Sequence, residues 1–529
     1  MKRTMQKVGG MVVTAALAFL AAVMPATANN MAVTNVVLVN QDTSAETVDV
    51  QFDLSWQNSW RTVLNTDYPA YTNWDAAWVF VKFQQVGLPT NNWQHALLST
   101  SGHTPAANST IAVGTNDASG VGVGAFVYRN ANYTGDVSYT GMRLRWNYGA
   151  NGQTFAKGAS VVVSVQAIEM VYVPQGQFYL GSTGTEESHF YDPTVAGQTT
   201  NAFLVSSENA ITVGTDAGSL YYTNSTYGGD QLGPIPDVFP KGYNAFYCMK
   251  YDISQGQYRD FLNMLTRDQQ NTRTTSQVAS NYAMSGQSTP QKRESIRCPA
   301  TIPGTGTNIV FGCDWNNNMV FDEPGDGMDR ACNALSWSAG AAYAAWAGLR
   351  PMTELEYEKA CRGPALPFAG EYAWGDATLT KLTTETPDGY GTSTANSGAN
   401  CLAGSPTWSG DGGPCRVGIF ATTSSTRAQA GASYWGIMEL SGNLWKRPMS
   451  VGSTEGRAFT GSNGSGVLNS SGQATNSDWN SIDAKGTGFR GGNYNNDAPL
   501  ARVSDRIYAA LTSTGAGYDF GWRAVRAAP

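Results

Sequence analysis

The run Asp314-Trp-Asn-Asn-Asn-Met-Val-Phe-Asp-Glu323, with Asp326 just beyond it, is where side chains in this 529-residue chain are spaced for chemistry. Asp314, Asn316, Asn318 and Asp322 set oxygens at alternate positions, the Val320 carbonyl falls between them, and Glu323 or Asp326 is left to close the shell. A calcium loop of the EF type wraps a hard cation in oxygens with that spacing, so calcium is the expected cofactor. The run departs from the pattern twice: Met319 holds the sixth position, where a glycine is usual, and Gly325 the twelfth, where the closing acid belongs. A solvated loop of Asx turns is the competing reading.

Softer chemistry has fewer donors. Seven cysteines stand at 248, 298, 313, 332, 361, 401 and 415, and the histidines are only His95, His103 and His189. Cys401 and Cys415 bracket a Gly/Ser/Pro loop and are the pair expected to bridge in an oxidising compartment, with Cys298 and Cys313 second. Cys361 is expected to pack as a small apolar residue. A net charge of −7 without a basic run argues against nucleic acid as a partner. Charged residues make up 14% of the chain, against about 25% in ordinary domains, which suits a loop-rich extracellular protein.

The elements that must position these residues begin after a leader. Lys2, Arg3 and Lys7, then the apolar run Val12 to Val23, then Ala26-Thr-Ala28 read as a signal peptide over 1–28. The run is too short to span a membrane comfortably, and no second one follows. The expected mature protein therefore has no transmembrane segment and is soluble outside the cytoplasm: extracellular, on the cell surface, or periplasmic. Residues 29–168 alternate as strands, with Val48, Val50, Phe52, Leu54 and Trp56 on one face, and predict an antiparallel β-sandwich of immunoglobulin-like size. Trp74, Trp78 and Trp93 beside these strands read as core or edge cover, or as a carbohydrate platform. Residues 169–529 form the second domain, with insertions at about 183–242 and 266–328, so the fold class is mainly β with α+β. Its most legible helix follows Pro351: Thr353 and Glu356 make a capping box, and Gly363 ends it.

That helix, Tyr372-Ala-Trp-Gly-Asp376, Gly436-Ile-Met-Glu-Leu-Ser-Gly-Asn-Leu-Trp445, Gly488-Phe-Arg-Gly-Gly492 and Gly521-Trp-Arg-Ala-Val-Arg526 occur in an order that resembles the formylglycine-generating enzyme (sulfatase-modifying factor) family. The resemblance implies a C-type-lectin-like fold over the last two thirds of the chain. It also implies a pair of copper-binding cysteines after the Arg-Gly-Gly, but those positions hold Asn496 and Ala501, and no cysteine follows Cys415. A related branch, the sulfoxide synthases, ligates iron through histidines; only His189 lies in the matching region. Of the family's calcium sites, the first carries over as the Asn396 and Asp411 side chains with the Ser397 and Gly413 carbonyls. The second is altered, because Lys446 replaces its glutamate; an ammonium would then stand as an internal cation in the ion's place. The family's substrate-binding surface maps to Tyr494, Asn495, Asn496 and Asp497, with Tyr518 nearby, and an ordinary polar turn is the competing reading of that loop; Arg490, Arg502, Asp505, Arg506 and Arg523 read as a buried ion-pair and capping network rather than an anion site. The implied function is a catalytically degenerate, secreted binding or structural protein at the cell surface, whose partner is an extracellular protein, a glycan or other copies of itself. The alternatives are a formylglycine-generating-type oxidase or related oxygenase, and a variable-loop C-type-lectin-like receptor.

Overall fold

The structure is a computed structural model that describes residues 30–64, 70–86, 93–116, 120–156, 159–194, 199–224, 226–404 and 412–529. The expected leader over 1–28 and Asp411 lie outside them.

Nine strands open the fold: β1 (Ala32–Asp42), β2 (Thr47–Leu64), β3 (Tyr71–Gln85), β4 (Gln94–His95), β5 (Leu98–Ser99), β6 (Ser109–Thr115), β7 (Val121–Arg129), β8 (Tyr133–Asn147) and β9 (Val161–Val173). Their sheet runs β1-β2-β8-β5-β7-β3-β9. Two bulges in β2, at Phe52/Leu54 and Trp56/Ser59, bend the strand. Its far end, Arg61 to Leu64, reaches β3 at Trp74 to Tyr71. The expected sandwich therefore closes on itself as a barrel, and an edge is removed. Inside it pack Val48, Val50, Phe52, Leu54 and Trp56 from β2, with Met142, Leu144 and Trp146 from β8.

The middle of β3 is buried on both faces, and Ala76 to Val81 is accordingly an unbroken apolar run rather than an alternating one. Ala77, Val79, Val81 and Phe83 face the barrel interior. Ala76, Trp78 and Phe80 face the second half of the chain. The Trp78 indole donates to the Ala347 carbonyl at 2.7 Å, and buried Lys82 donates to Trp346 and Gly466 carbonyls at 2.7 and 2.9 Å. Trp78 is thus core, while Trp74 stacks on Tyr172 with ring centroids 3.8 Å apart.

The second half continues the same sheet. β9 pairs through Met170 to Val173 with the strand Phe246–Met249, which pairs with Ala524–Ala527, which pairs with Arg350–Pro351. A boundary at residue 168 falls inside β9. Around this sheet lie loops and, among the described residues, five α-helices: α1 (Gln255–Asn263), α2 (Arg267–Arg273), α3 (Trp337–Trp346), α4 (Glu354–Arg362) and the single turn α5 (Thr454–Arg457). α4 begins as its sequence dictates: the Thr353 hydroxyl accepts from the Glu356 amide at 3.1 Å, and the Glu356 carboxylate from the Thr353 amide at 3.0 Å. Gly363 ends it at φ 66°, a left-handed conformation that suits glycine. Among the described residues no helix is long and apolar enough to cross a membrane.

Candidate functional site

All nine residues of α4 are buried, its charges included, so each charge needs a partner. Glu354 accepts from Arg506 at 2.8 Å and Arg490 at 3.0 Å; Glu358 accepts from Arg490 at 2.6 Å and Arg362 at 3.2 Å. Burial pushes the Glu354 carboxyl up, but Arg506 and Arg490 outweigh it and hold it below its ordinary value. Arg523 donates to Asp252 at 3.1 Å and to the Met249 and Lys250 carbonyls at 2.8 Å. These arginines are spent inside the protein and leave no anion site.

Arg490 leads into the surface loop. Buried Asn493 accepts from the amides of Asn495 at 2.6 Å and Asn496 at 3.0 Å, and its own amide donates to Asp519 at 2.8 Å. That last bond brings half-buried Tyr518 and Asp519 beside the loop. The Asx turn points Tyr494 inward, where it is 5% exposed and clusters with Met438 and Leu444. A displayed Tyr494 ring, the sequence expectation, is therefore corrected. Asn495 and Asp497 are exposed and Asn496 is half-buried.

Below the loop, buried Lys446 donates to the carbonyls of Gly442 at 2.6 Å and Leu444 at 2.8 Å, with Asp252 at 3.7 Å. Burial lowers its pKa, and Asp252 pulls in the opposite direction. The ammonium gathers carbonyl and carboxylate oxygens as a bound cation would.

The oxygen-rich loop comes together in part. Asp314 accepts from the amides of Asn318 and Met319 at 3.0 and 3.1 Å and from Arg297 at 2.5 Å. Glu323 accepts from the side-chain amides of Asn316, at 2.8 Å, and Asn318. Asp326 is fully buried; one of its oxygens accepts from the Glu323 amide at 2.9 Å, and the other has no partner. Its pKa is pushed up to about 7 by burial, with Asp314 and Glu323 adding to the rise. Met319 sits at φ 66°, the left-handed conformation for which an EF-type loop uses glycine. Asp322 alone turns away, to Arg259 and the Cys313 amide. At the first family-type site, Asn396 spends its side-chain oxygen on the Thr383 and Thr384 amides at 2.7 and 3.3 Å. Ser397 there is exposed and Gly413 buried.

Sequence reasoning missed several buried ion pairs, among them Arg293 with Glu385, Arg362 with Glu371, and Lys250 with Glu169. Lys250 donates to Glu169 at 2.8 Å, both buried, at the junction of the two halves. The signal was present, since each is a charge set in an apolar run, Ala167 to Val173 and Phe246 to Tyr251.

The model of the sulfatase-modifying factor enzyme 1-like domain matches residues 158–528. The chain belongs to that family. Over 142 residues, 27% of the chain, it is also 32% identical to a hercynine oxygenase from Mycolicibacterium thermoresistibile, and the match spans 23% of that relative's length.

Asn496 and Ala501 supply an amide and a methyl where thiols are expected. All seven cysteines are free and buried. Burial pushes the thiols of Cys248, Cys298, Cys313, Cys361 and Cys401 up to about 12, far from the thiolate that binds soft metals. The expected Cys401–Cys415 bridge is not formed: Asn443 stands between them, its amide on the Leu402 carbonyl at 2.9 Å and its side chain accepting from the Cys415 amide at 3.0 Å. The histidines do not converge. His95 bonds the Val123 carbonyl, His103 that of Ser99, and His189 those of Glu186 and Thr199. Among the described residues no three histidine, cysteine or carboxylate side chains group to hold a metal on their own.

Proposed function

We propose that the protein is a catalytically degenerate member of the sulfatase-modifying-factor family, exported from the cell and acting there as a binding or structural protein. The observation that carries this reading is the pair Asn496, in the recognition loop, and Ala501, just beyond it, in a domain whose cysteines are all buried and whose one histidine, His189, is spent on backbone carbonyls. The scaffold that presents the Asn493 to Asp497 loop is intact, and loops on rigid scaffolds are where binding residues concentrate. Its partner is an extracellular protein, a glycan or a second copy. The deciding experiment incubates the purified mature protein with copper and a sulfatase-type cysteine peptide. No aldehyde is expected by mass spectrometry, and aldehyde formation would overturn the reading.

Calcium is the cofactor of this reading, held by Asp314, Asn316, Asn318, the Val320 carbonyl, Glu323 and Asp326. The unpartnered buried oxygen of Asp326 supports it. The carboxylates alone form no cage there, so the amide and backbone oxygens have to complete the shell. A second reading, an oxygenase with relocated ligands, is favoured by the similarity to the hercynine oxygenase. Iron retained through purification and lost on replacing His189 would support it instead.

A further inference from the structure

Between the barrel and the second half of the chain lies a cleft of about 690 Å³, within the range of small-molecule sites, which favour such junctions. Its floor is Trp60, whose indole donates to Asn73 at 2.7 Å and carries the Lys250 ammonium 4.6 Å from its ring centroid. Gly436, at φ 88°, lies against the indole edge; a Cβ there would be 3.0 Å from it, so the backbone approaches as only glycine allows. Half-buried Tyr434 supplies a second aromatic wall. The lining also includes the amides of Gln57 and Asn58 on β2, the hydroxyls of the 422–426 loop, and apolar Leu64, Trp435 and Met438. Arg416 and Arg427 line the cleft and no aspartate or glutamate does, in a chain whose net charge is −7; Lys250 lines it too, but its charge is paired with Glu169 at 2.8 Å.

We propose that this cleft binds a short acidic oligosaccharide, one bearing uronate carboxylates. Sugar hydroxyls would meet the amide and hydroxyl walls, the apolar faces of the rings would lie on Trp60 and Tyr434, and the carboxylates would sit in the field of Arg416 and Arg427. The lining includes no residue of the Asn493 to Asp497 loop, and the inference stands whether or not the family's reaction is retained.

Isothermal titration of the mature protein with tetragalacturonate, with cellotetraose and with a tetraglutamate peptide tests it. Expected are saturable binding of tetragalacturonate, at least tenfold weaker binding of cellotetraose, and none of the peptide. Tyr434→Ala removes a wall, and Thr423→Trp fills the cleft from an exposed position on its rim; each should weaken tetragalacturonate at least tenfold, and Thr423→Trp should do so at an unchanged melting temperature. Three results would each overturn the proposal: no binding of tetragalacturonate, equal binding of the neutral sugar or the acidic peptide, or binding indifferent to both substitutions.

Discussion

The Lys446 ammonium donates to the carbonyl of Gly442 at 2.6 Å, four residues back in the same turn. A second bond, to Leu444 at 2.8 Å, and Asp252 at 3.7 Å complete an oxygen nest around one buried positive charge. Where the family resemblance places a carboxylate and calcium, this chain has built the cation into its own backbone turn, and that turn also sets Asn443 against Leu402 and Cys415.

Lys446→Met should therefore cost about 3 kcal/mol, because it strands two buried carbonyls and removes one partner of Asp252. Lys446→Glu should be worse in EDTA and recover part of the loss in millimolar calcium, since it restores an oxygen shell that an ion can fill. Chemical denaturation with and without calcium measures both. Wild-type midpoints for both variants would show that the ammonium holds nothing together.

Calcium should raise the melting temperature of the wild-type protein through the Asp314 to Asp326 loop. An ion binding only the folded state adds about 2.7 kcal/mol at a hundred times its Kd. Asp326→Asn keeps the bond to the Glu323 amide but lowers the charge at the unpartnered oxygen, so it should remove most of the increment while leaving the calcium-free melt near wild type. Identical melts in calcium and EDTA would exclude the loop as a site.

Glu354 ties α4 to Arg490 and Arg506, and the effect of pH follows from its lowered pKa. A carboxyl held lower in the folded protein than its unfolded value of about 4.3 contributes stability above that pH, and the contribution is lost as pH falls through the folded value. Glu354→Gln should cost about 3–5 kcal/mol near neutrality, where it leaves two buried guanidiniums undercompensated. The gap between wild type and variant should then narrow below about pH 4. A gap that stayed constant across acid pH would show that this carboxylate does not titrate with unfolding.

Much of this fold was legible because local rules and burial agreed. Val48 to Trp56 alternates and is buried on the predicted face, and Thr353, Glu356 and Gly363 bound α4 as capping chemistry requires. Closure of the barrel was not legible: it depends on where the bulges bend β2 toward β3, which no composition or period reports. The inward turn of Tyr494 was hidden for a similar reason, since it follows from the bonds of Asn493 to its own loop and to Asp519, 26 residues on. Cys401 and Cys415 looked like a loop-closing pair in one dimension, and the intervening Asn443 belongs to another part of the chain.

The Asn493 to Asp497 loop separates into a part that folds and a part that faces solvent, and substitutions should separate them too. Tyr494 packs in a buried cluster, so Tyr494→Ala should lose about 3–5 kcal/mol by opening a cavity. Asn493→Ala should also destabilise, because it removes the Asx turn and the bond to Asp519. Asn495 and Asp497 are exposed, and the double change Asn495→Ala with Asp497→Ala should leave the melting temperature within about a degree or two, as distant surface changes do. If the loop recognises a partner, that same double change should weaken attachment of the labelled protein to cells or to immobilised copies of itself, while heat-denatured protein sets the background. Attachment unchanged in a well-folded double variant would move recognition off this loop, and a large drop in melting temperature would show that the exposed pair is structural after all.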